Sequence, residues 1–234
     1  MDTSSAAHAL ARVSAELTGP QNTAGGLVVL LRACRGFLDT AATGVMVENP
    51  QHALELLAAS SHESSELEVL QAQLDEGPCI DAHTSGEAVH AAGLEECIGR
   101  WPTFGHELEK AGFVSVHASP LRWQGETIGS MGAFRRSNRP FEPEEELFAQ
   151  AFADLATVMI VSLREVSGDE LRRRLDESLA GRIAIEQAKG VVAERRGLSM
   201  EDAYEFLVQG AAEMDVPLAQ WASERIAEAQ ARRS

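Results

Sequence analysis

Arg182, Lys189 and Arg196 recur at seven-residue intervals in the run Arg182-Ile-Ala-Ile-Glu-Gln-Ala-Lys-Gly-Val-Val-Ala-Glu-Arg-Arg-Gly197. At 100° per residue, cations two turns apart form one stripe along a helix, and such a stripe suits phosphate contact. Arg195 adds a further cation, and the amide of Gln187 can read a base edge or a 2′-hydroxyl. Tyr204, the only tyrosine, either stacks on a loop base or is simply half-buried. The competing reading is a solvated face on which Glu186 and Glu194 form local ion pairs. Gly190 sharpens the choice. Glycine inside a helix costs about 1 kcal/mol, so a close approach, of another helix or of RNA, is expected to compensate.

The elements that must position these side chains are helices. Ile183, Ala184, Ala188, Val191 and Val192 fall mostly on another face of the first helix and are expected to be buried. Gly197 stops it in the C′ position, with Leu198 as the apolar partner. Ser199-Met-Glu-Asp202 reads as a capping box with Asp in place of Glu. Ala203, Phe206, Leu207, Gly210, Ala211 and Met214 then mark an amphipathic helix, and Pro217 opens a last one through Leu218, Trp221, Ala222, Ile226 and Ala229. The stretch from about 175 to 230 resembles the ANTAR domain, an RNA-binding antitermination module of bacterial regulators. The resemblance rests on Arg182, Ile185, Gln187-Ala188-Lys189-Gly190, Gly197, Ala203, Leu207, Ala211, Pro217-Leu218 and Ala222. It departs at Val208, where an Arg is common, and at Val192-Ala193, where Leu-Met is usual. RNA contact is expected at Arg182, Gln187, Lys189 and Gly190, which belong to the resemblance, and at Arg195, Arg196 and Tyr204, which lie outside its matched residues.

Charge qualifies this reading. The net charge of −16 disfavours a general coat on nucleic acid, because phosphate attraction sums over all nearby charges. Its distribution is uneven: residues 169–234 hold 10 of the 20 Lys and Arg but 13 of the 36 Asp and Glu. Recognition of one shaped RNA is compatible with that balance. No apolar stretch approaches a membrane span and the N-terminus lacks a signal-peptide pattern, so a cytoplasmic protein is expected, with no membrane partner. Cys34, Cys79 and Cys97 have no CxxC spacing and read as reduced thiols. The seven histidines never pair at i, i+4, and no structural metal is expected. No nucleophile elbow, phosphate-binding loop or paired catalytic constellation occurs, so no enzyme is expected.

In the first two-thirds, residues 6–18 and 25–38 have helical spacing, and Gly44–Glu48 and Leu54–Ser60 read as strands about Asn49-Pro50. A polar helix over Glu63–Leu74 is expected to stop at Asp75-Glu-Gly-Pro78. A short strand at Glu87–His90 and a helix at Thr103–Ala111 follow. The clearest β signal is a hairpin from Ser115 to Arg136 turning at Gln124-Gly125-Glu126. Phe141-Glu-Pro143 opens a broadly apolar helix to about Glu165. The order Gly77-Pro-Cys-Ile-Asp81, Arg100-Trp-Pro102, Gly112-Phe-Val-Ser115, Pro120-Leu121 and Ile128-Gly129, with Phe141 before the last helix, resembles a GAF domain, in the form found ahead of ANTAR in actinobacterial regulators. That resemblance implies a small-molecule or redox sensor, with Cys79, His83, Trp101 and His117 as candidate ligand-sensing residues. Cys79 is either a sensing thiol or a small buried apolar residue. His83 and His117 either hold a haem or an anion or are satisfied structural histidines. Trp101 lines a pocket or belongs to the core. No motif names the ligand or a cofactor.

Leu171, Leu175, Leu179 and Ile183 continue at i+4 steps across the junction and read as a partner stripe, hence a homodimer through a signalling helix. The expected organisation is an N-terminal helix or tail over 1–21, a sensor over 22–165, a linker helix over 166–181 and an RNA-binding unit over 182–231. The fold class is α+β, an antiparallel sheet flanked by helices, followed by an all-α three-helix unit. The expected function is a regulator that senses a signal and binds stem-loops in nascent transcripts to antiterminate transcription. The alternative is a sensor whose C-terminal helices dock a protein partner without touching RNA.

Overall fold

The computed structural model describes residues 23–161 and 168–231. The helix expected over 6–18 and most of the break expected at Glu165–Asp169 lie outside them.

Strands β1 (Ala42–Glu48), β2 (Leu54–Ala59), β3 (Val89–Ala92), β4 (Ser115–Trp123) and β5 (Glu126–Arg135) form one antiparallel sheet in the order β2-β1-β5-β4-β3. The central strands are covered on both faces, so β1 is buried along almost its whole length rather than alternating. Helices α1 (Thr23–Phe37) and α6 (Pro143–Val161) cover one face, where Val45, Val47, Leu121 and Met131 join Leu27, Leu31, Phe152 and Ala156 in a single core. Helices α2 (His62–Leu74), α3 (Pro78–Ser85), α4 (Leu94–Arg100) and α5 (Pro102–Lys110) cover the other, over Met46, Val116, Ala118 and Phe134. Successive side chains of β4 therefore serve opposite layers, as the strand period requires.

The β4–β5 hairpin turns on Gln124 (φ 51) and Gly125 (φ 88), the paired positive angles that match the twist of the flanking strands. Two expectations need correction. Helix α2 ends at Asp75, in the left-handed region at φ 52, and Pro78 opens α3 instead of punctuating a stop; proline suits a first helical turn because its missing N–H would have no partner there. The seven-residue α4 was not anticipated, since about two turns leave too little periodicity to read.

At the C-terminal end, α7 (Gly168–Arg196), α8 (Met200–Glu213) and α9 (Leu218–Ala231) form the three-helix unit. Ile185, Ala188, Val192, Ala203, Leu207 and Ala222 are buried there, and this core is continuous with that of α1, α6 and the sheet. Ile183, expected inside, is 52 % exposed; Ile185 takes its place. The side chains of Leu171 and Leu175 lie outside the described residues, whereas Leu179 is buried in the shared core. Among the described residues no helix is long and apolar enough to cross a membrane.

Candidate nucleic-acid interface

Helix α7 runs unbroken through the boundary expected near residue 182 and ends where the glycine signal places it. Gly197 sits at φ 64, and the Leu198 N–H bonds the Ala193 carbonyl at 3.0 Å, closing the helix end. Ser199 caps α8 by accepting from the Asp202 N–H, while its hydroxyl donates to the Asp202 carboxylate at 2.7 Å.

The cationic stripe is split between two environments. Arg196 is exposed, with its guanidinium 4.0 Å from the Phe206 ring, and Arg195, also exposed, donates to the Ala229 carbonyl at 2.7 Å. Gln187 and Gly190 are exposed as well. Lys189 is not: it is 1 % exposed, turned from solvent into the contact between α7 and the N-terminal unit. Its Nζ lies 2.7 Å from Glu186 Oε2, 3.2 Å from His62 Nδ1 and 5.6 Å from the Tyr204 ring centroid. Arg182 is half-buried beside it in a small cleft lined also by Val28, Leu57 and Ser61. The single solvent-facing stripe expected from the sequence is thereby corrected. Its seven-residue spacing holds, but the stripe flanks the buried Ile185–Val192 edge closely enough that the N-terminal unit covers part of it.

Tyr204 belongs to the same contact. It is 4 % exposed, its hydroxyl donates to the Ala59 carbonyl at 2.7 Å, and burial pushes its phenol above the usual range, so it stays a donor. Ala59 ends β2, an edge strand, and the hydroxyl reaches that strand's end. Arg32 of α1 grips both carboxylate oxygens of Glu205, at 2.7 and 3.0 Å, and lies 5.3 Å from the Tyr204 ring. The His62 N–H at the start of α2 donates to Glu201 at 3.0 Å. Polar groups of α1, β2 and α2 thus meet α7 and α8 in paired contacts over an apolar floor. Arg32, Glu201 and Glu205 carry no signal in the sequence, since lone charges on helix faces are common.

Gly190 lacks the expected neighbour: a Cβ there would meet nothing within 4 Å. The close helix contact is at Gly210, where a Cβ would fall 2.8 Å from the Trp221 indole nitrogen.

The four candidate sensing residues are not assembled into one pocket. Cys79 and Trp101 are buried in the layer under α2–α5, with the Trp101 indole donating to Asp81 at 3.0 Å. His83 lies on α3 with Nε2 3.5 Å from Glu48, and burial lowers its basicity. His117 is on the opposite face of the sheet, packed on Phe141. Burial, followed by the nearby Glu68 charge, pushes the Cys79 thiol well above its ordinary value. A fully buried, protonated thiol is inert toward oxidants, which favours the structural reading of Cys79. Glu68 itself was missed. It is fully buried under the sheet, its Oε2 accepting from Gln71 at 2.6 Å, and burial raises its carboxyl to about 8. The signal available for it was indirect: a Cβ at Gly44 or Gly132 would fall 2.7 or 2.5 Å from its Oε1, so two strand glycines make its space.

Residues 3–160 match the GAF domain family and residues 173–224 the ANTAR domain family. No curated protein is detectably similar in sequence to the chain. Among solved structures, a GAF domain from a phosphoenolpyruvate-protein phosphotransferase of Coxiella burnetii is similar at TM-score 0.54 and 18 % identity, over 68 % of this chain and 95 % of that one. The corresponding Acinetobacter domain is similar at TM-score 0.51 and 12 % identity, over 68 % and 93 %. At these identities the likeness speaks to fold alone.

Proposed function

Because the chain belongs to the GAF domain family and carries an ANTAR domain behind it, we propose that it is a signal-responsive RNA-binding regulator held closed by its own sensor domain. In this reading the ANTAR helices capture stem-loops of nascent transcripts in the cytoplasm and so prevent terminators from forming. The observation that carries the proposal is Lys189. A cation on the RNA-facing stripe is buried against the GAF domain together with Tyr204, so the closed arrangement and full RNA contact exclude each other. Arg195, Arg196 and Gln187 remain open and support a weak first encounter. A ligand that favours the undocked form then shifts the population toward RNA binding by its differential affinity for the two forms. Pairing of two chains through α7, with Ile183 52 % exposed and Leu179 of the expected stripe buried within the chain, would present two such surfaces together.

The test uses Arg32, which lies in the GAF domain and outside the proposed RNA face. Arg32→Ala removes the grip on Glu205 and is expected to raise affinity for a stem-loop RNA several-fold while keeping steep salt dependence, roughly 0.7–0.9 log units per phosphate contact per decade of salt. The net charge of −16 favours a second reading, in which the helices dock a protein. Loss of docking with no salt-sensitive RNA binding would select it.

A further inference from the structure

Beyond the RNA contact, the sheet's far edge gathers a second set of residues. His90 on β3 and His117 on β4 are directly opposed in the antiparallel register, so their side chains share one face of the sheet. Helix α6 crosses that face and brings Glu146 in its first turn. One ligand atom from each of the three lies within 4.8 Å of the other two, and His90 Nδ1 is already 3.1 Å from Glu146 Oε1. His117 is 1 % exposed; its Nε2 is 3.0 Å from the Ser119 hydroxyl, and its buried Nδ1 has no hydrogen-bond partner. A buried ring nitrogen left unpaired is costly and calls for an explanation.

We propose that His90, His117 and Glu146 bind a single divalent transition-metal ion, zinc being the best match to two imidazoles and a carboxylate. The His117 ring supplies Nδ1 as ligand, while Ser119 holds Nε2 and so fixes the ring's orientation from outside the coordination sphere. Arg135 works against a metal here, and Glu145, 2.7 Å away and shared with Arg139, offsets part of that charge. A tetrahedral zinc ion with bonds of about 2.0–2.2 Å needs ligand atoms about 3.3 Å apart. The widest pair, no more than 4.8 Å apart, must therefore close by about 1.5 Å at most, within reach of rotation by the exposed His90 and half-buried Glu146 side chains. Three protein ligands at a solvent-facing edge leave the fourth position to water or an added ligand, which is the arrangement of a responsive site rather than a closed structural one. The ion would tie edge strand β3 to the start of α6. No metal is expected from the sequence, because a cross-strand pair 27 residues apart leaves no ligand spacing to recognise.

The test uses the full chain stripped with a chelator and titrated with Co²⁺ and then Zn²⁺. One Co²⁺ per chain should give visible d–d absorption that Zn²⁺ abolishes, and Zn²⁺ at a hundredfold excess over Kd should raise Tm by about 5–10 °C. His90→Ala and Glu146→Gln, both at exposed or half-exposed positions, should each lose at least a hundredfold in affinity; Ser119→Ala should lose about 10–100-fold. His52→Ala, at an exposed histidine elsewhere, should bind as wild type. Absence of stoichiometric binding, or affinities of the His90 and Glu146 variants equal to wild type, would overturn the proposal. Neither result depends on RNA.

Discussion

Tyr204→Phe isolates the closed arrangement more cleanly than any change of charge. The substitution keeps the ring, and with it the contacts to Arg32 and Lys189 and any capacity to stack on a base; it removes only the hydroxyl that donates to the Ala59 carbonyl at 2.7 Å. Loss of a buried neutral hydrogen bond costs about 1–2 kcal/mol, more when the abandoned carbonyl finds no water. The bond exists only when ANTAR and GAF are docked, so nearly all of that cost falls on the docking equilibrium. At 1.4 kcal/mol per tenfold, the open fraction rises about 5–30-fold. Apparent RNA affinity follows it in proportion until the open form predominates. Fluorescence anisotropy with a labelled stem-loop at one fixed salt concentration reads the change, and a thermal melt of the same sample reads the stability cost. A variant that melts lower yet binds RNA no better than wild type would refute the reasoning, since docking would then be loosened without exposing anything RNA uses.

Two further outcomes follow from single residues. Gly190→Ala has open space around its new methyl and regains the helix propensity that glycine forfeits, so it should stabilise the chain by about 1 kcal/mol in urea denaturation; RNA affinity lost in that more stable variant would locate RNA, or a second copy, against the bare helix. Glu68 carries its carboxyl at about 8 in the folded chain against an ordinary 4.5, so its contribution is fully present below pH 4.5 and is lost as pH rises through 8, with a slope of about −1.4 kcal/mol per unit between. His117, at about 4 against 6.5, has the opposite sign, its contribution being lost as pH falls from 6.5 toward 4, so it does not mask the Glu68 slope between pH 6.5 and 8. Stability measured from pH 6.5 to 8 should therefore fall in wild type and flatten in Glu68→Gln; equal slopes would mean that Glu68 is already ionised in the folded state.

Periodicity in the sequence is local, and what it made legible was local too. The three C-terminal helices, the Gly197 stop, the Gln124-Gly125 hairpin and the Pro143 helix start all follow from chemistry within a few residues, and the structure contains each of them. The misassigned pieces are those whose meaning depends on distant chain. Pro78 opens a helix because α3 packs on the sheet, and Glu68 is buried because Gly44 and Gly132, far from it in sequence, leave room. The pairing of His90 with His117 is a matter of strand register, which no spacing rule reports. Lys189 is the instructive case. Its spacing from Arg182 and Arg196 is the same whether the stripe faces RNA or the GAF domain, and the residue types suit both. A buried lysine needs a carboxylate, a lone pair and an aromatic ring, and here Glu186, His62 and Tyr204 supply them. Two of those three lie on the ANTAR helices themselves. A stripe that must meet phosphate in one state and protein in the other carries part of its own substitute for phosphate, and the acidic residue three positions before the lysine, which looked like evidence against RNA, is what lets the closed state form.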